Sequence, residues 1–173
     1  RLIDRALRPL FPEDYLCDVQ VLVTLISSDK EVMPDSLACL AASAALAVSD
    51  VPVKEIISEV RVARVDGNFI VNPSRTELGR ADMDFMIGAT EKNLMMVEGE
   101  SNQCSEEDLI KALELAHEAI RVQIKAQEQL RAKKGITGKR DYTKPYTNEE
   151  LEKKVNELAK DKMYAIAKSG TAK

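Results

Sequence analysis

Apolar residues fall at helical spacing at the start of the chain, in strand-like runs through its middle, and at helical spacing again toward its end. Leu2, Ile3, Ala6, Leu7 and Leu10 form one flank of an opening helix, with Arg1, Arg5 and Arg8 at intervals of four and three on another face. Pro9 and Pro12 end it, because proline lacks an amide hydrogen and disfavours helix in the residue before it. Residues 18–28 (DVQVLVTLISS) are β-rich and almost continuously apolar, which predicts a strand covered on both faces. Residues 34–49 predict a helix of Ala, Leu, Ser and Cys packed tightly on every side.

Residues 59–65 and 68–71 read as strands joined by Asp66-Gly67, a dipeptide suited to the positive φ angles of a tight hairpin. A second pair, 83–89 and 94–98, follows around residues 90–93. Residues 105–133 form the longest helix, with Ser105 and Asp108 as a capping pair and a buried stripe of Leu109, Leu113, Ala116, Ile120 and Ile124. His117 lies beside that stripe and is expected to be packed or hydrogen-bonded. The stretch 135–144 has no apolar period and is rich in Gly, Lys and Thr, so the chain divides into domains 1–133 and 134–173. Beyond it Thr147 and Glu150 form a second capping pair, before a helix whose narrow stripe of Leu151, Val155, Leu158 and Ile166 needs a partner.

Composition narrows the picture. The 173 residues are 45% hydrophobic and 31% charged, with no tryptophan, so the core is built from Val, Ile, Leu, Ala and Met. The net charge of −4 argues against a free-standing nucleic-acid binder. Lys134 onward carries ten Lys and Arg against six Asp and Glu, which leaves residues 1–133 at −8. Any RNA contact by the first part is therefore a local patch on an acidic body. Cys17, Cys39 and Cys104 show no C-x-x-C spacing, which suits a reducing cytosol, and His117 has no neighbours at metal-ligand spacing. Neither a signal peptide nor a membrane span is indicated.

Three arginines on one helix face can hold phosphates, or they can pair with acids elsewhere in the fold or across a subunit contact. The wording of the chain favours a particular setting. R-L-I-D-R-x-x-R-P-L-F-P-E resembles a segment of the bacterial polynucleotide phosphorylases. D-V-Q-V-L-V-T, P-D-S-L-A-C-L-A-A-S-A-A-L, N-P-S, G-A-T-E, M-V-E-G-E and A-H-E-A-I are similar to the same family in the same order. The resemblance implies a fragment of a longer protein, comprising the back half of the first of two ribonuclease PH-like cores and the start of an all-helical linker. The implied fold is α/β (α+β), a mixed sheet with packed helices followed by the helical segment.

The implied activity is phosphorolytic 3′→5′ exoribonuclease action, with inorganic phosphate as substrate and nucleoside diphosphates as product. Mg²⁺ would belong to the second core and not to this fragment. The implied partners are RNA, two further copies in a homotrimer and possible RNA-degradation assemblies, in the cytoplasm and without a membrane. In the family's competent core a stretch like Asp82-Met83-Asp84-Phe85 is followed by a lysine; this chain has Met86 there. Asp84 and Met86 share a strand face, and an acid beside methionine cannot offset phosphate charge, so Asp82 and Asp84 read as a vestigial site and no catalytic residue is expected here. Both acids can equally be strand-edge residues without a chemical role.

By resemblance Arg61 faces that site and binds a small anion or an RNA phosphate; its other reading is a salt-bridge partner. Arg64, three residues along, belongs to the opposite face. The arginines Arg1, Arg5, Arg8 and Arg61 are thus the RNA- or phosphate-binding candidates. Lys133, Lys134, Lys139, Arg140 and Lys144, interleaved with Tyr142 and Tyr146, suit either a single-strand contact or a solvated basic loop. The rival to the RNA-guiding role is a scaffold whose arginines hold subunits together. A free-standing ribonuclease PH acting on tRNA ends fits less well, since that family lacks the helical extension.

Overall fold

The computed structural model of the chain describes residues 1–170. They form two units, one from Arg1 to Tyr142 and one from Thr143 onward.

The first unit is a sheet with helices on both faces. Helix α1 (Leu2–Leu7) tightens into a 3₁₀ turn, Arg8–Leu10, with proline in its first turn, where a missing amide costs no hydrogen bond. Helix α2 (Asp35–Ala47) follows. Next come strands β1 (Ser58–Val65) and β2 (Asn68–Val71), a short helix α3 (Arg75–Leu78), strands β3 (Met83–Ala89) and β4 (Leu94–Ser101), and helix α4 (Glu106–Lys134). The strand order is β2-β1-β3-β4 and every pairing is antiparallel. The α+β class expected from sequence is what the structure shows, with the mixture of strand directions refined to an antiparallel sheet among the described residues.

The hairpins form where turn chemistry places them. Asp66 and Gly67 take φ of 51° and 80°, as the tight β1–β2 turn requires. Gly99 sits opposite Phe85, and a β-carbon there would collide with the Asp84 carbonyl oxygen and lie 2.5 Å from the Phe85 ring. Only glycine lets β4 approach β3 this closely.

Alternation along β1 gives the sheet two different faces. Val60 and Val62, with Met83, Ile87 and Ala89 of β3, pack on Ala112, Ala116, Ile120 and Ile124 of α4. The α4 stripe is therefore shifted from the expected one: Ala112 and Gln127 are buried, while Leu109 and Leu113 lie at its margin. On the other face Ala6, Leu7, Leu10, Cys39, Ala42, Leu46 and Ile57 form a separate cluster under α1 and α2. The small residues of α2 do not make it buried all round. Ser36, Cys39, Ser43 and Leu46 face inward, whereas Leu37 is 52% exposed.

Residues 18–28 form no strand. Leu22 is 80% and Ile26 94% exposed, and no strand among the described residues lies alongside to take up the backbone groups of this segment. Apolar content signalled a buried strand; without a neighbouring ladder the segment stays exposed.

The second unit contains helix α5 (Glu149–Ser169), started by Asn148, whose side-chain oxygen accepts from the Leu151 amide at 3.0 Å. The cap is thus one residue beyond the expected Thr147. Leu151, Val155, Leu158 and Ile166 are exposed. Among the described residues no helix is long and apolar enough to cross a membrane.

Candidate functional site

The carboxylates and arginines of β1 and β3 form two ionic groups, one on each side of the sheet. Arg61 and Asp84 are diagonal neighbours across the β1–β3 ladder, because Arg61 pairs in register with Met86 and Ala63 with Asp84. The Arg61 guanidinium donates to both Asp84 oxygens at 2.7 and 2.6 Å, and to Asp35, at the start of α2, at 2.5 Å. Its side chain is 16% exposed and those of the two acids about as little, so the cluster is largely withdrawn from water. Burial alone would lower the arginine's affinity for its proton, but the hydrogen bonds to Asp35 and Asp84 outweigh that and raise it. Met86, paired in register with Arg61, is buried.

Arg64 lies on the α4 side, as strand alternation requires. It forks onto Asp82 through Nε at 2.8 Å and a terminal nitrogen at 3.0 Å, and reaches Asp108, in the first turn of α4, at 2.6 Å. The hydrogen bond from Arg64 holds the Asp82 carboxyl below the usual range. Asp82 and Asp84, two residues apart, thus serve different arginines; Asp82 precedes β3 and is not bound by its alternation. Asp108 spends its side chain on Arg64, so Ser105 caps α4 alone, accepting from the Asp108 amide at 3.2 Å.

The α1 arginines take three different positions. Arg5 is paired with Glu98 of β4. Arg8 bonds Asp4 one turn back, at 2.5 Å. Arg1 is exposed and lines a cleft of about 870 Å³ together with Arg8, Phe11, Tyr15 and Lys54. Phe11 stacks on Tyr15, and Tyr15 meets Tyr142 edge-on with ring centres 4.9 Å apart.

The basic stretch before Tyr142 is strapped to the body of the first unit. Lys139 donates to the carbonyls of Leu46 and Ser49 at the end of α2, at 2.8 and 2.9 Å, and burial lowers its pKa. The negative end of the α2 dipole favours a cation there. Arg140 pairs with Asp50 at 2.5 Å. Tyr142 donates to Asp14 at 2.5 Å, and that hydrogen bond pushes its hydroxyl up to about 12. Of the linker cations, Lys139 and Arg140 are therefore spoken for by the fold. His117, through Nε2, meets the carbonyls of Thr90 and Glu91 at 3.0 and 3.1 Å, the hydrogen-bonded role expected for it.

Sequence reasoning missed three acids: Asp35, Glu98 and the buried Glu59. Asp35 and Glu98 stand far from their arginines in the chain, and no local pattern marks such a pair. Glu59 was visible as the one acid of β1, a strand that also carries Arg61 and Arg64.

The chain was compared with known proteins. Residues 1–52, which hold α1 and α2, match the model of the 3′ exoribonuclease family, domain 1. Residues 55–119, from the sheet to the first half of α4, match the same family's domain 2. Along its whole length the chain is 52% identical to a polyribonucleotide nucleotidyltransferase of Christiangramia forsetii and 54% identical to one of Porphyromonas gingivalis. It is 55% identical to one of Bacteroides fragilis over 98% of its length. It spans about a quarter of each relative, 23% or 24%.

Proposed function

The chain belongs to the 3′ exoribonuclease family, and from that premise we propose that it is part of a phosphorolytic 3′→5′ exoribonuclease of the polyribonucleotide nucleotidyltransferase type. In that reaction an oxygen of inorganic phosphate attacks the phosphorus of the last internucleotide linkage. A new P–O bond forms as the bond to the preceding nucleotide's 3′ oxygen breaks. That oxygen leaves with a proton as a 3′ hydroxyl, and the terminal nucleotide departs as a nucleoside diphosphate. Catalysis is a matter of positioning the reactants and neutralising phosphate charge.

Within such an enzyme residues 1–133 are the back half of a first, non-catalytic core and residues 134–173 the start of a helical linker. The observation that carries the non-catalytic role is the closed charge of the Arg61 cluster, in which one guanidinium is shared by Asp35 and Asp84 with buried Met86 beside them. No uncommitted cation of that cluster remains to offset an incoming phosphate. Nor do its acids fit Mg²⁺, which needs carboxylate oxygens free to face it; here both face an arginine. The chain's task is then to guide RNA and to build a trimeric ring. Of the four candidate arginines Arg1 and Arg8 are the most exposed, Arg8 beside an exposed Asp4, whereas Arg5 and Arg61 are more withdrawn and held by acids.

The test uses the full-length enzyme in the cytoplasmic ionic range, comparing wild type with Asp84→Ala and with Arg1, Arg5 and Arg8 all changed to alanine. The expected result is unchanged turnover at saturating RNA for Asp84→Ala. The triple variant should bind RNA more weakly, with a flatter dependence of affinity on salt. Loss of turnover in Asp84→Ala with the assembly intact would overturn the non-catalytic reading. Dissociation of the assembly in the triple variant would favour the scaffold reading.

A further inference from the structure

Glu59 has no exposed surface, and neither carboxylate oxygen has a hydrogen-bond partner. It stands on the face of β1 that carries Arg61, opposite Gly88 of β3 and against Ala6 of α1. A β-carbon at Gly88 would come within 3.3 Å of the Glu59 side chain, so glycine makes the space the acid occupies. The thiol of Cys39, also without exposed surface, is its neighbour on α2.

The charges on the surrounding elements do not neutralise it. Arg61, on its own strand, is held by Asp35 of α2 and Asp84 of β3, and Arg5 of α1 by Glu98 of β4. The neighbouring Cys39 thiol favours the ionised form, and burial and Asp35 outweigh it. An ionised carboxylate in such a place is costly, while the neutral acid is tolerated.

We propose that Glu59 is a proton-operated latch, which as the neutral acid lets the α1–α2 layer seat on the sheet and when ionised loosens that layer while the α4 side stays packed. Geometry supplies the two independent parts. The layer over Glu59 has its own apolar cluster, separate from the one under α4. Burial, with Asp35 adding to it, pushes the Glu59 carboxyl up to about 7, so the latch works around neutral pH. Inside the layer the Ile57 amide donates to the Ser43 hydroxyl at 3.2 Å and provides a buried reporter.

The experiment is amide hydrogen exchange on the full 173-residue chain at pH 5.5 and pH 8, each rate divided by its intrinsic rate. Protection at residues 38–46 and Ile57 should fall by about tenfold or more at the higher pH relative to residues 112–124, as a raised carboxyl pKa requires. Glu59→Gln, which cannot ionise, should abolish that difference. Equal protection at both values, or a response that survives Glu59→Gln, overturns the proposal. Should the variant not fold, ¹³C titration of the Glu59 carboxyl in the wild-type chain decides instead. A midpoint near neutrality sustains the latch and one near the ordinary glutamate value of about 4.3 removes it.

Discussion

The two faces of the sheet are built on the same strands and on opposite principles. The α4 face has an apolar centre, with the Ser58–Gln123 and Gln127–Ile57 hydrogen bonds at one end, and its arginine, Arg64, stands at the other, where Asp82 is still 44% exposed. The α1–α2 face has Glu59 and Arg61 inside it, the first unpaired and the second clamped by two acids. Apolar burial stabilises without needing particular geometry. Buried charge needs every partner in place and is vulnerable to the loss of one. One face therefore rests mainly on apolar burial, while the other is sensitive to substitution and to protons.

The comparison can be broken most sharply at the α4 face. Ile120→Ala removes a fully buried side chain from that cluster and should cost about 4 kcal/mol by denaturant unfolding, without altering the pH profile. On the other face Arg61→Ala strands two largely buried acids and should cost about 3 kcal/mol at pH 7 by the same measurement. If Arg61→Ala proved harmless at neutral pH, the contrast between the faces would fail.

Glu59 sharpens the contrast through pH. Its folded-state pKa lies above its ordinary value, so between that value and about 7 the folded chain holds a proton the unfolded chain has released. Stability contributed by the neutral acid is complete at lower pH, declines through this window by about 3 kcal/mol, and is level above it. Glu59→Gln should flatten the decline in urea midpoints measured from pH 4 to 8. Arg64→Ala should cost less than Arg61→Ala, because Asp82 can turn to water. Smallest of all, Arg8→Ala breaks an exposed helix pair with Asp4 and should shift stability by under about 0.5 kcal/mol.

What the sequence disclosed was what local chemistry decides. Asp66-Gly67 announced its hairpin because positive φ is a property of the residues themselves. The long α4 was legible from its period, although its burial was centred one position from where Leu109 and Leu113 placed it. Ser74 and Glu77 spelled a capping box in plain letters and were passed over, since the helix they start is only four residues long. Residues 18–28 misled for a different reason. Their apolar pattern reports what a strand would bury, not whether another strand lies beside it. At the candidate site, Arg61 was set facing Asp84 by resemblance, because alternation orders residues within one strand and not between β1 and β3. Asp35 could not be placed there, because its approach depends on how α2 docks on the sheet.

The strap before Tyr142 has a practical meaning for anyone cutting this chain. The end of α4 at Lys134 is an inviting place to stop a recombinant piece. A piece ended there would lack the lysine on the carbonyls of Leu46 and Ser49, the arginine on Asp50 and the tyrosine on Asp14. The natural scissors mark is after Tyr142, and a protease offered the whole chain should find its first foothold on that side of the strap.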